Sequence, residues 1–256
     1  MTTATKKDLE KAVPLDVTLY ENTQAEGFEE ADRDSYAIPL LKLLQKMSPE
    51  VDEADGAFIE GAKPGMFLNN ATGRMGDGKE GIVIVPVHFS RRFLQWMPRE
   101  DGGGFKGSWS PGEAAMMQGV SDDRGRLVLP DGSYLSDTRE HYVLWLDGSG
   151  GFETCVISLA STQIKKSKKW MTAMQSRKMA RADGSTFTPP MYSHAWRVQA
   201  VPESNDQGSW YGWKFSTFED VGEVGIVNAA RAFREAILSG EAKAEQPADE
   251  ATEVPF

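Results

Sequence analysis

The rhythm of apolar and polar positions changes several times along the chain. Ala37-Ile-Pro-Leu-Leu-Lys-Leu-Leu-Gln-Lys-Met47 places its apolar residues at helical spacing, with Pro39 in the first turn. This predicts a short amphipathic helix ended by Ser48-Pro49. Gly81 to Trp96 reads as one long β segment in which Pro86 removes a ladder donor, so the segment lies at an edge or carries a bulge there. Residues 100–138 are rich in Gly, Asp and Ser, with a hairpin over Arg126–Tyr134 turning at Pro130-Asp131-Gly132. His141–Leu146 and Phe152–Leu159 alternate as strands around the turn Asp147-Gly-Ser-Gly-Gly151.

From Ser161 the period becomes helical through about Ala180, with Ser161 or Thr162 as N-cap. Met191–Val201 and Ser209–Phe218 read as two strands across a turn from Pro202 to Gly208, and Glu219–Leu238 as a helix stopped by Gly240. No internal repeat is present.

The order from 82 to 218 is strand, long insertion, strand, strand, helix, strand, strand. That order predicts a mainly β (α+β) fold, an elaborated five-stranded OB-type Greek-key barrel. Its helix lies between strands 3 and 4, and a further helix follows at the C-terminus. An SH3-like barrel does not need the central helix, and a doubly wound sheet needs helices that are absent. Three regions follow: an acidic, loosely ordered segment at 1–35, one domain at 36–240 with its insertion at 100–138, and a disordered acidic tail at 241–256.

Charge sharpens this division. The 256 residues carry a formal net charge of −10, which on its face argues against a polyanionic partner. Residues 1–60 hold 14 acids against 6 bases and residues 241–256 hold 5 against 1, which leaves the middle with 19 acids and 21 bases. The acidity therefore belongs to the ends. No window approaches the roughly 18 apolar residues of a membrane span, and the first residues lack a secretory apolar run, so a cytoplasmic protein with no membrane partner is expected. The single Cys155 precludes an internal disulfide or a Cys-based zinc cage.

Catalytic signatures are missing. His88, His141 and His194 each sit inside a strand pattern among apolar neighbours, which suits structural histidines. Gly76-Asp-Gly-Lys-Glu-Gly81 has G-x-G-x-x-G spacing but precedes a strand instead of following one. Cys155 reads as a core thiol. No enzyme activity, metal or cofactor is expected.

The positive signal is a basic segment. Lys165, Lys166, Lys168, Lys169, Arg177, Lys178 and Arg181 follow one another with no acid before Asp183. Ile164, Met171 and Met174 share a helical face that can dock while the cations point elsewhere. Such a cluster suits a phosphate backbone. Phe89-Ser-Arg-Arg-Phe-Leu-Gln-Trp96 interleaves Arg91 and Arg92 with rings, and Trp210-Tyr-Gly-Trp-Lys-Phe215 and Trp196-Arg197 repeat the mixture. Gly102–Trp109 reads as a mobile loop carrying Phe105, Lys106 and Trp109. Cations that track phosphates and rings that stack on bases are the chemistry of single-stranded nucleic-acid binding. The expected DNA contacts are Arg91, Arg92, Trp96, Phe105, Lys106, Lys165, Lys166, Lys168, Lys169, Trp170, Arg177, Lys178, Trp210 and Trp213.

The tail, Ala248-Asp-Glu-Ala-Thr-Glu-Val-Pro-Phe256, is acidic and ends in an aromatic. It resembles the acidic C-terminal tip of bacterial and phage single-stranded DNA-binding proteins. The body, especially Ser161–Trp170 and Val85–Phe93, is similar to phage-encoded proteins of this kind. The resemblance implies an OB fold and a protein that coats and protects ssDNA in replication, recombination and repair. It also implies recruitment of replication or recombination proteins through Glu253, Val254, Pro255 and Phe256, and residence in the host cytoplasm. Homo-oligomerisation stays open, and tetramer formation is not implied. The alternatives are an ssDNA-annealing or recombination-mediator protein, a virion structural component, and a metal-dependent nuclease.

Overall fold

The computed structural model describes residue 18 and residues 26–30, 37–123, 126–206, 208–242 and 244–245. In chain order the strands and α-helices are β1 (Leu41–Leu43), β2 (Phe67–Asn69), β3 (Met75–Gly76), β4 (Ile82–Trp96), β5 (Phe105–Trp109), α1 (Pro111–Met116), β6 (Val120–Ser121) and β7 (Leu127–Val128). They continue as β8 (Tyr134–Leu146), β9 (Phe152–Ala160), α2 (Ile164–Ser176), β10 (Met179–Ala180), β11 (Thr186–Phe187), β12 (His194–Asn205), β13 (Gly208–Asp220) and α3 (Val224–Ser239).

The fold is mainly β, a curled antiparallel sheet in the order β13-β12-β4-β8-β7-β6, with β9 beside β8 and β5 beside β4. β4 is its spine. It pairs with β8 from Ile84↔Trp145 to Trp96↔Tyr134, takes β12 at its start and β5 at its end. Ile82, Ile84, Val143, Trp145, Cys155, Ile157, Trp196 and Val198 point into the curl, where Trp170 and Met174 of α2 meet them. Val85, Val87, Tyr142, Leu144 and Val156 point outward under Ile226, Ala230 and Phe233 of α3. With both faces covered, the strand sequence loses its polar alternation and reads as a continuous apolar run. The register shifts between Pro86 and His88. Pro86 therefore sits at a bulge, where its missing N–H costs no ladder bond.

The segment expected to be helical at 37–47 is extended. Leu41–Leu43 pair with β2, and the backbone before them is claimed by distant partners. Val156 N donates to Pro39 O (2.8 Å) and Leu40 N to Asn70 Oδ1 (2.8 Å). Leu40 serves the outer core while Leu41 and Leu43 serve the inner one. A helix of about ten residues is marginal alone, and tertiary hydrogen bonds override its spacing.

This segment fills the seam between β9 and β13, which share no ladder among the described residues. Gln45 clasps the β13 edge, its Nε2 donating to Tyr211 O (3.0 Å) and its Oε1 accepting from Tyr211 N (2.8 Å). Gln163 Oε1 accepts from Trp213 N (3.1 Å).

Several boundaries also move. The helix expected from Ser161 to Ala180 is a 3-10 turn at Ser161–Gln163 followed by α2, with Gln163 at the N-cap position and no side-chain cap. Ser161 has φ +48° and caps nothing. Met179–Ala180 belong to a small hairpin with Thr186–Phe187. β8 begins at Tyr134, inside the expected insertion, because Tyr134 and Leu135 pair with both β4 and β7. β12 continues through Pro202 to Asn205, so its turn is tighter than expected; Pro202 is tolerated because β12 pairs with β4 only over Trp196–Val198. α3 stops where expected, at Gly240 with φ +78°. The chain stays docked past 241: Ala244 bridges Ile38, and Glu245 N donates to Ile38 O (2.9 Å).

Candidate nucleic-acid interface

α2 presents two contrasting edges. Its docked edge is Ser167, Trp170 and Met174, with Met171 half-buried beside them; the expected stripe of Ile164, Met171 and Met174 is thus rotated to include a tryptophan. Trp170 is 2% exposed, lies parallel to Phe215 at 4.0 Å between centroids, and meets Trp196 edge-on at 6.0 Å. Ser167 Oγ is 2.8 Å from His141 Nε2. Burial, with Arg139 nearby, holds the His141 imidazole down at about 3, so it stays neutral.

The other edge carries Lys165, Lys168 and Lys169, exposed and spaced i, i+3, i+4 along one face. None has a carboxylate partner among the described residues. Lys178 and Arg181 continue the exposed positive surface, the first donating to Thr188 Oγ1 and the second lying 4.6 Å over the Phe187 ring.

The seven-cation cluster is smaller than its sequence suggests. Lys166 pairs with Glu203, and Arg177 with Asp220 (3.2 Å), which also meets His194 Nε2 at 2.8 Å. Burial works against the Glu203 charge, but hydrogen bonds from Lys166, Gln163 and Trp210 hold its carboxyl below the ordinary value. The other five cations have no carboxylate partner among the described residues.

The four tryptophans expected to stack on bases are core residues. Trp96 and Trp170 are 2% exposed, Trp213 6% and Trp210 8%. They lie on faces of the curled sheet that other elements cover, and Trp210 Nε1 is spent on Glu203 Oε2 (3.0 Å). The expected mobile loop at Gly102–Trp109 contains β5, paired to β4. Phe105 packs edge-on against Trp96 (5.5 Å), while Lys106 is exposed. Arg92 is half-buried and donates to Ser108 Oγ (3.0 Å) and Ser108 O (3.1 Å).

A better aromatic surface lies where the sheet extends beyond α2. Phe89 stands opposite His141, Arg91 opposite Arg139, and Phe93 between Asp137 and Trp109. All occupy one face, and Phe89, Phe93 and Trp109 are half-buried. Arg91 lies 4.9 Å over Phe93 and binds Asp137 through Nε (3.0 Å) and Nη2 (2.8 Å). His141 contacts both Phe89 (5.0 Å) and Trp170 (4.7 Å), so this face begins where α2 docks. A strand read from His141 leaves out Asp137 and Arg139, although the alternation Asp137-x-Arg139-x-His141 marks them in the sequence.

Among the described residues, no group of three or more His, Cys, Asp and Glu side chains could hold a metal ion, and no helix is long and apolar enough to cross a membrane. Burial pushes the Cys155 thiol up to about 12, as suits a core residue. A groove with about 730 Å³ of empty space, partly open to solvent, lies along the seam between Leu40, Leu43, Trp96, Gln163, Tyr211 and Trp213. Glu253, Val254, Pro255 and Phe256 lie outside the described residues.

A family model described as Pam3 phage gp34-like protein covers residues 6–243. No curated protein and no solved structure matches the chain.

Proposed function

This chain belongs to the Pam3 phage gp34-like family, and we propose that it is a phage-encoded, non-enzymatic single-stranded DNA-binding protein. The observation that carries the reading is the row Lys165, Lys168 and Lys169, exposed and without carboxylate partners among the described residues, beside a sheet face bearing Phe89, Phe93 and Trp109. Phosphates follow the lysines and bases stack on the rings, each stacked base contributing about 1–3 kcal/mol. The fold supports the same reading. The ladders β4–β8, β8–β9, β4–β12 and β12–β13, with α2 between β9 and β12, are compatible with an OB-type barrel in which residues 39–45 stand in for the closing ladder. The tail tip, from Glu253 to Phe256, recruits replication or recombination proteins in this reading.

The test is fluorescence anisotropy with a labelled oligo-dT at two salt concentrations, about 50 and about 200 mM, with and without Mg²⁺. Tight, salt-sensitive binding without degradation is expected. Absence of binding at the lower salt removes the reading, and Mg²⁺-dependent loss of the oligonucleotide replaces it with a nuclease.

A further inference from the structure

Arg91 and Arg139 face each other directly across β4 and β8. Like charges at directly opposed strand positions are destabilising, and here two guanidinium groups share one carboxylate. Asp137 Oδ2 accepts from Arg91 Nη2 at 2.8 Å and from Arg139 Nη2 at 2.9 Å. The trio keeps one uncompensated positive charge.

That charge is not on a loose surface side chain. Arg139 is 9% exposed, its Nε–H is buried with no acceptor among the described residues, and Asp137 is the one acceptor its guanidinium finds there. A guanidinium offers five donors, and a buried cation short of acceptors is costly unless something completes its shell. Arg91, by contrast, is an exposed residue whose Nη1 has no hydrogen-bond partner among the described residues, so the pair opens to solvent on the Arg91 side. Phe89 and Phe93 flank the pair along β4. The fork of two guanidinium groups suits an oxyanion with several acceptor oxygens.

We infer that Arg91 and Arg139, set by Asp137, form a phosphate-binding site that seats one backbone phosphate of the bound strand. The inference rests on the reading under Proposed function and adds to it a fixed point. The α2 lysines attract the strand at long range. The arginine pair registers a single phosphate between two half-buried rings, about 7 Å along β8 from the His141 position where α2 docks.

The test reads the Arg Nε–Hε signals by NMR at constant ionic strength while sodium phosphate replaces sodium chloride, in parallel with thermal unfolding. Saturable shifts of the Arg91 and Arg139 signals by inorganic phosphate are expected, together with a rise in Tm. The dinucleotide TpT should move the same signals, and thymidine, which lacks a phosphate, should not. Arg91→Gln leaves Asp137 and Arg139 as a one-to-one pair, so the variant should fold at least as stably as the parent. It should lose about tenfold in phosphate affinity, so that about tenfold more phosphate is needed for the same rise in Tm. Asp137→Asn should bind phosphate more tightly than the parent. Equal responses to chloride and phosphate overturn the site. A response to inorganic phosphate without one to TpT overturns its assignment to the strand. If oligo-dT fails to bind while phosphate still shifts both arginines, the ssDNA reading falls and the anion site stands. If oligo-dT binds while phosphate leaves them unmoved, this inference alone falls.

Discussion

Replacing Trp170 separates a structural ring from a binding ring. The indole is 2% exposed, stacked on Phe215 at 4.0 Å and in edge contact with Trp196. Trp170→Ala deletes a fully buried ring, a change that costs about 3–5 kcal/mol, and the aromatic pairings add about 0.5–1.5 kcal/mol each. Trp170→Phe keeps much of the volume and removes an indole N–H that is buried with no acceptor among the described residues. An unsatisfied buried donor costs about 1–3 kcal/mol, so its removal offsets much of the lost packing and the net change should stay within about 1.5 kcal/mol. Urea unfolding followed by far-UV circular dichroism measures both variants, and oligo-dT anisotropy measures their binding. The expected pair of results is a severe loss of stability for Ala, and for Phe a nearly parental protein with parental affinity. A Phe variant that unfolds normally yet binds DNA tenfold more weakly would refute the core assignment, as would an Ala variant that costs less than about 1 kcal/mol.

Three further outcomes follow from the same geometry. The triple variant Lys165→Ala, Lys168→Ala, Lys169→Ala should reduce the salt slope of ssDNA binding by about 2, since each lost phosphate contact on a single strand contributes about 0.7. An unchanged slope takes α2 out of the interface, whereas stability should hardly move because all three side chains are exposed. Gln45→Ala leaves the Tyr211 N–H and C=O without their partner and should cost about 2 kcal/mol; hydrogen exchange at the Tyr211 amide should accelerate, and continued protection there argues against the clasp. His141 has a folded-state value depressed from 6.5 to about 3. Its contribution is therefore complete above pH 6.5, and it is lost as the pH falls through the window down to about 3, at up to about 1.4 kcal/mol per unit. Urea midpoints that do not fall between pH 7 and pH 5 contradict a neutral, buried imidazole.

The strands were legible wherever their pattern was local. β4, β9, the end of β8 and the stop of α3 at Gly240 follow from runs and punctuation that the residues themselves carry. The misread parts depend on distant partners. Leu40, Leu41, Leu43 and Leu44 have helical spacing because they supply three different apolar clusters from an extended chain. The sequence overstates the cation cluster at α2 by two because Glu203 and Asp220 lie 37 and 43 residues from the side chains they neutralise. Neighbouring cations mark a tryptophan as a stacking platform only when its face is uncovered. On a sheet buried from both sides, ring and cation can be adjacent in sequence and belong to opposite environments.

The Gln45 clasp bears on where this domain can be cut. A fragment beginning at Gly81 would contain all five long strands and both long helices, and by its pattern would look complete. It would also leave the facing edges of β9 and β13 without Pro39, Gln45 and β1, two rows of bare amides and carbonyls along an apolar groove. Such edges are templates for pairing between chains. The shortened domain should self-associate through them, and the leucine-rich segment before β2 acts, in that sense, as a built-in guard against polymerisation.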